Sequence, residues 1–296
     1  MLSNNDNQKQ KKIKTLRFAR MALLAVVVCM GLAACGDDDD PNGNEGGKEP
    51  TSVVNPANVF TGGLPKSAEG ATLYYNDEGL LAKMSIENGK EVTFEYNNGT
   101  RLAAPQNGVR MTIVDSEVGE KSTFDMEIND KGFVRHCTQT EGDGDIETWD
   151  FDYTTEGNLN YMKRSEGGNE ITTITYQEGD IVHVGVVSEE DGWESSSDVK
   201  YTSTDVASPM PNKGCVMLFD ATFGVDMDEM KYAYYAGLLG KATKNLPIEL
   251  IDHGMTGTDY DEVSKFKWTL NQDELPIQLD ITEPWGGYTS KKTFQW

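Results

Sequence analysis

Basic residues, histidine and cysteine are all scarce in this 296-residue chain: 26 Lys and Arg stand against 49 Asp and Glu, with three His and four Cys. His136, His183 and His253 sit at no spacing that pairs them as metal ligands. His136 and Cys137 are neighbours on a predicted strand, so their side chains face opposite sides and do not form a nucleophile–base pair. A nucleophile elbow, a phosphate loop and a zinc-protease helix are all missing. The apolar run MALLAVVVCMGL, Met21 to Leu32, stops at twelve residues, short of the roughly 20 that a membrane-spanning helix needs. These absences remove the common routes to metal-dependent, nucleotide-dependent and covalent catalysis. No cofactor is expected.

What is present begins with an address. Lys9, Lys11, Lys12, Lys14, Arg17 and Arg20 precede the apolar run, giving the basic and hydrophobic regions of a secretory signal. Leu32-Ala33-Ala34-Cys35 resembles the bacterial lipobox, in which the cysteine is acylated and becomes the new amino terminus. Two or three acyl chains make such an anchor stable, since each buried CH₂ contributes about 0.8 kcal/mol. Cys35 is therefore the expected lipid attachment point, and the membrane is a partner through that lipid. Asp37, Asp38, Asp39 and Asp40 resemble the acidic tract that directs Bacteroidetes lipoproteins to the cell surface, and their mutual repulsion also suits an extended spacer. The expected division is a signal peptide over 1–34, a lipidated acidic tether over 35–54 and a folded domain over 55–296.

Without residues 1–34 the chain keeps 20 basic and 48 acidic residues, a formal charge of −28. Such a surface repels nucleic acid and anionic lipid. Cys29 leaves with the signal and Cys35 takes lipid, so Cys137 and Cys215 remain, either as a disulfide in an oxidising exterior or as two separate buried thiols.

A repeated unit runs along the domain: TLYYNDEGLL at 72–81, FDMEINDKGFV at 124–134, WDFDYTTEGNL at 149–159, ITYQEGDIV at 174–182 and, without its glycine, FKWTLNQDELPI at 266–277. Each is a strand, a short polar turn and a second strand, and in all but the last the turn ends in a left-handed glycine. Other glycine turns, at 88–89, 142–144, 167–168, 191–192 and 286–287, close the opposite ends, giving an up-and-down meander of hairpins. Alternation makes each strand one-sided: Trp149, Phe151 and Tyr153 against Asp150 and Asp152, Phe124, Met126 and Ile128 against Asp125 and Glu127, Phe266, Trp268 and Leu270 against Lys267 and Thr269. About ten such strands present more apolar surface than one helix covers. The fold is thus expected to be mainly β, an antiparallel meander curled into a partly open barrel or a sandwich.

The one expected helix lies near 226–239, within DMDEMKYAYYAGLLG, with Met227, Met230, Tyr234 and Leu238 at helical spacing, acids in its first turn and Gly240 beyond its end. Its Tyr232, Tyr234 and Tyr235 are the candidate ligand-binding residues, because aromatic faces stack on sugars and the helix interrupts the regular meander. The same stripe equally suits a core seam.

The stretches YYNDEGLLAKM, VTFEYNNG and YYAGLLGKATKNLP, with a terminal tryptophan-rich hairpin, resemble an uncharacterised domain family of Bacteroidetes lipoproteins, over roughly residues 56–296. The hairpins distantly resemble the YD repeats of Rhs-type surface proteins. The resemblance implies a mostly β fold and a cell-envelope role, and carries no catalytic residues. The expected function is a non-catalytic outer-membrane lipoprotein, displayed at the cell surface, that binds a glycan or an envelope or host protein, or serves a structural role. The alternative is a carboxylate-dependent glycoside hydrolase using pairs such as Asp150 and Asp152.

Overall fold

Strands with one apolar face must bury that face, and here they do so by closing into a ring. The structure is a computed structural model and describes residues 54–96, 108–255, 261–284 and 288–296. Sixteen antiparallel strands follow one another from Ser67–Ala68 to Thr289–Gln295. The ring closes because Ser67–Ala68 pairs on one side with Ala71–Tyr75 and on the other with Thr289–Gln295. A closed barrel thus replaces the partly open or sandwich arrangements that alternation alone allowed, and its strands outnumber the ten or so read from the repeats.

The inward face is largely apolar, with a few buried polar residues such as Gln139 and Arg164. Phe124, Met126, Trp149, Phe151, Phe266 and Trp268 are buried, while Asp150 between two of them is exposed. Cys137 is buried opposite Trp149, and His136 beside it points outward. Cys137 and Cys215 are both free thiols.

The repeated turns share one hydrogen-bond pattern. In the first, Asn76 Oδ1 accepts from the amides of Glu78 and Leu80, and the Gly79 amide donates to the Asn76 carbonyl. Asn129 repeats this around Gly132, and Asn271 repeats it around Glu274. Glu274 takes the left-handed conformation (φ 61°) that the glycines take elsewhere (78° at Gly79, 88° at Gly132). The copy lacking glycine therefore keeps the turn, with a side chain where the left-handed region costs about 1–2 kcal/mol. The turn after Tyr176 is tighter than expected: Glu178 and Gly179 both have positive φ, the geometry of a two-residue hairpin. Tyrosines at the strand ends tie neighbouring hairpins together, Tyr96 donating to the Leu81 carbonyl, Tyr153 to Val134 and Tyr176 to Leu159.

A ring of sixteen strands is wide enough to leave a channel. Here the chain between the strands Glu194–Lys200 and Glu249–Met255 fills it. This plug contains a two-stranded ribbon (Met210–Pro211 with Asn245–Leu246), a short helix at Phe219–Phe223, and a 3-10 turn Asp228–Lys231 running into an α-helical turn Tyr232–Tyr235. The helix expected over 226–239 is confined to 228–235. Gly237 stops it with φ 75°, and a Cβ there would lie 2.8 Å from Pro56 Cα. Phe219, Phe223, Met227, Met230 and Leu238 join the core formed by the strands. Plug and wall also exchange backbone bonds: the Val134 amide donates to the Leu238 carbonyl, and Lys241 to Gly157.

Candidate functional site

The tyrosines expected to bind ligand are part of the plug's packing. Tyr234 and Tyr235 are buried, with Phe60 edge-on to the first (5.4 Å between ring centres) and stacked on the second (6.4 Å). Their hydroxyls are occupied, Tyr234 donating to the Cys215 carbonyl (2.6 Å) and Tyr235 to Glu69 Oε1 (2.8 Å). Tyr232 is half-buried, with the Lys231 ammonium 5.7 Å from its ring centre. The interruption of the meander supplies filling for the lumen, so the stacking faces of Tyr234 and Tyr235 are already covered by protein. Asp150 and Asp152 lie on the outer wall, with Asp150 taken by His136 at 2.7 Å. Burial pushes the Cys137 thiol up, which leaves it a packing group. Cys35 and Asp37 to Asp40 lie outside the described residues.

At the barrel end opposite the repeated turns, Arg164 reaches from the wall into the plug. Its Nε donates to Glu170 (2.7 Å), its two terminal nitrogens to Asp228 and Asp226 (3.0 Å each), and its guanidinium lies 5.7 Å from the Trp149 ring centre. Glu147 stands nearby, and burial, together with the Glu166, Glu141 and Asp228 carboxylates, pushes its pKa up to about 7. Burial likewise raises Glu166 and Asp228, against the opposing pull of Arg164. Among the described residues no three His, Cys, Asp or Glu side chains are grouped to hold a metal ion. This cluster fastens the plug.

The cluster makes stability depend on pH. Glu147 folded has a higher pKa than Glu147 unfolded, so between about pH 4.5 and 7 the folded state holds more protons. That contribution is complete below the unfolded value and is lost as pH rises through 7. The urea midpoint should therefore fall between pH 5 and 8, and Glu147→Gln should flatten that dependence; an unchanged slope in the variant would remove Glu147 as its source.

A second feature lies on the outer wall, where register rather than sequence proximity brings residues together. Ser195 pairs with Met255 and Ser197 with Asp252, so Ser196 faces two residues, His253 and Gly254, across a bulge. On the next strand His183 stands opposite Asp198, and Gly185 leaves a gap in the row of outward side chains. The result is a cavity of about 370 Å³. Along its edge runs a chain of contacts: His183 Nδ1 to Asp198 Oδ1 (2.7 Å), His253 Nε2 to Asp198 Oδ2 (3.2 Å), and His253 Nδ1 to Asp261 Oδ1 (2.8 Å). The hydrogen bonds from His183 and His253 hold the Asp198 carboxyl below its usual range, so it accepts and His183 carries its proton on Nδ1. Nε2 of His183 faces the space over Gly185. His253, with a carboxylate at each nitrogen, has its pKa raised by Asp261 and Asp198.

Sequence reasoning had no means of joining His183, Asp198, His253 and Asp261, which meet only through strand register. The one local sign was Gly185 inside the strand IVHVGVVS, where glycine often marks a bulge or a close approach.

Comparison with known proteins comes down to fold. A family model described as a domain of unknown function (DUF4595) with porin-like fold matches residues 73–278. The crystal structure of a porin-like protein from Bacteroides uniformis has 20% sequence identity and a TM-score of 0.54, covering 76% of this chain and 89% of its own. A porin-like protein from Bacteroides vulgatus has 12% identity and the same TM-score, covering 79% and 99% respectively. No curated protein matches the chain.

Proposed function

Since the chain belongs to the family of domains of unknown function with a porin-like fold, we propose that it is a plugged, non-conducting barrel, held at the outer membrane by lipid on Cys35 and acting by binding rather than by transport or catalysis. The observation that carries this is the polarity of the wall. A membrane-spanning barrel is apolar outside and polar within; this one is the reverse. Outward side chains form ion pairs, Arg110 to Asp125 across two strands (2.6 and 2.8 Å) and Lys163 to Glu189 in the turn after Asp180–Ser188 (2.8 Å), while the inward row holds Phe124, Met126 and Trp149. Each Lys or Arg placed on a lipid-facing wall costs about 2–4 kcal/mol at mid-bilayer and less toward the interfaces, and both of these lie within strands of the wall, Arg110 in Gly108–Asp115 and Lys163 in Leu159–Arg164. The lumen that would conduct is filled by the plug.

Envelope placement is supported by the basic and apolar leader, the lipobox-like LAAC and the Bacteroides origin of the two similar structures. Asp37 to Asp40 are the proposed export tract to the cell surface. In the producing bacterium, Cys35→Ala should move the full-length protein from the membrane fraction to the soluble one, and the lipidated wild type should give no conductance steps in planar bilayers. A variant that stays in the membrane through alkaline washing, or a wild type that opens channels, would overturn the plugged-barrel reading.

A further inference from the structure

We infer that the outer-wall cavity over Gly185 binds one neutral, polyhydroxylated ring, that is, a single sugar residue. The inference rests on reading the protein as a binding module and names the chemistry its wall would select. The Asp198 carboxylate holds the His183 ring through Nδ1 at 2.7 Å, which leaves Nε2 at a fixed position facing the space above Gly185. A Cβ on Gly185 would lie 3.9 Å from that nitrogen and 3.3 Å from Thr173 Oγ1, so ring nitrogen and hydroxyl flank the same space. Ser195 and Ser196 line the cavity as well, and hydroxyls both donate and accept. Val187 and Met255, two of the large apolar side chains that remain exposed, border it and offer a surface to the C–H face of a ring.

Other ligand classes fit less well. Asp198, Asp261 and Glu194 stand beside the cavity, within a chain of strongly negative charge, and repel an anion. A bound metal would need three grouped ligands, which the described residues do not supply. An apolar ligand would take the Ser195 and Ser196 hydroxyls out of water and return no hydrogen bond to them. The cavity's size is at the lower end of small-molecule sites, which run from about 300 to 1,000 Å³.

The test uses the full chain carrying Cys35→Ala, labelled with ¹⁵N-histidine and titrated with the methyl glycosides of glucose, galactose, mannose and N-acetylglucosamine. At least one should shift the His183 Nε2 resonance saturably while His136, on a distant strand, stays unmoved. Gly185→Val should abolish the effect by filling the space, and Thr173→Val, a change of one atom group on the surface, should weaken it about tenfold by removing one hydrogen bond. Four glycosides without a saturable shift would overturn the proposal, as would binding that survives both substitutions, or a His183 response to equimolar Zn²⁺ with none to the sugars. Membrane release and the absence of conductance do not involve the cavity, so failure here with success there removes the ligand class and leaves the plugged barrel standing.

Discussion

Trp149→Ala should lower the unfolding free energy by about 3–5 kcal/mol, the range for removing a large aromatic from a core that cannot collapse around the gap. The indole is fully buried, stacks at 6.2 Å on Phe151, and donates its Nε1 proton to Gln139 Oε1 at 3.1 Å. Alanine would leave a cavity between wall and plug and a buried Gln139 carbonyl without its donor. Ile146 lies three residues earlier on the same strand and is 65% exposed. Ile146→Ala should therefore change stability by no more than about 0.5 kcal/mol. Comparing the two urea midpoints separates burial from any general intolerance of the strand; equal losses would mean that the apolar face does not carry the fold.

Arg164→Met keeps much of the side-chain volume and removes the cation, and should cost about 2–4 kcal/mol. Breaking a buried ion pair from one side typically costs about 3–5 kcal/mol, and here Asp226 and Asp228 retain access to water that softens the loss, whereas Glu170 is only 12% exposed. The loss should depend on pH. Arg164 lowers the pKa values of Glu147, Glu166 and Asp228 in the wild type, so without it these carboxyls bind protons still more readily in the folded state. A raised folded pKa gives stability that is lost as pH rises, and the variant's deficit should be larger at pH 8 than at pH 5. Denaturation at the two pH values checks this, and a pH-independent deficit would show that Arg164 acts through packing alone.

Alternation made the wall legible. The side of each strand taken by Trp149, Phe151, Phe266 and Trp268 followed from period two, because polar neighbours left them a single buried direction. The Asn271 turn was partly hidden, since its glycine is replaced by Glu274, yet the flanking pattern had already marked it. The plug was harder to read. Helical spacing over 226–239 was present, but the stop at Gly237 depends on Pro56, a contact far along the chain. Whether Tyr234 and Tyr235 face a ligand or the core depends on how wide the ring is, and that depends on strands such as Ser67–Ala68 that carry little pattern of their own. The outer cavity was the least legible part. A histidine and an aspartate on adjacent strands meet or miss according to register, which is set by the whole ladder.

The short strand that closes the ring is also its weakest join. Ser67–Ala68 contributes two residue pairs on each side, whereas Gln278–Thr282 and Thr289–Thr293 are joined by five. Side chains reinforce the join, Lys66 Nζ donating to the Trp296 carbonyl (2.8 Å) and Trp296 Nε1 to Pro276 (2.7 Å). A continuous cylinder resists splaying because each strand is braced from both sides; cut anywhere, it becomes a sheet with two free edges. The cheapest cut is at Ser67–Ala68, so amide hydrogen exchange should begin there and spread to Thr289–Gln295 before it reaches the long ladders around Trp149. The barrel would then unroll from one zipper, exposing the plug's flank while most of the wall is still intact.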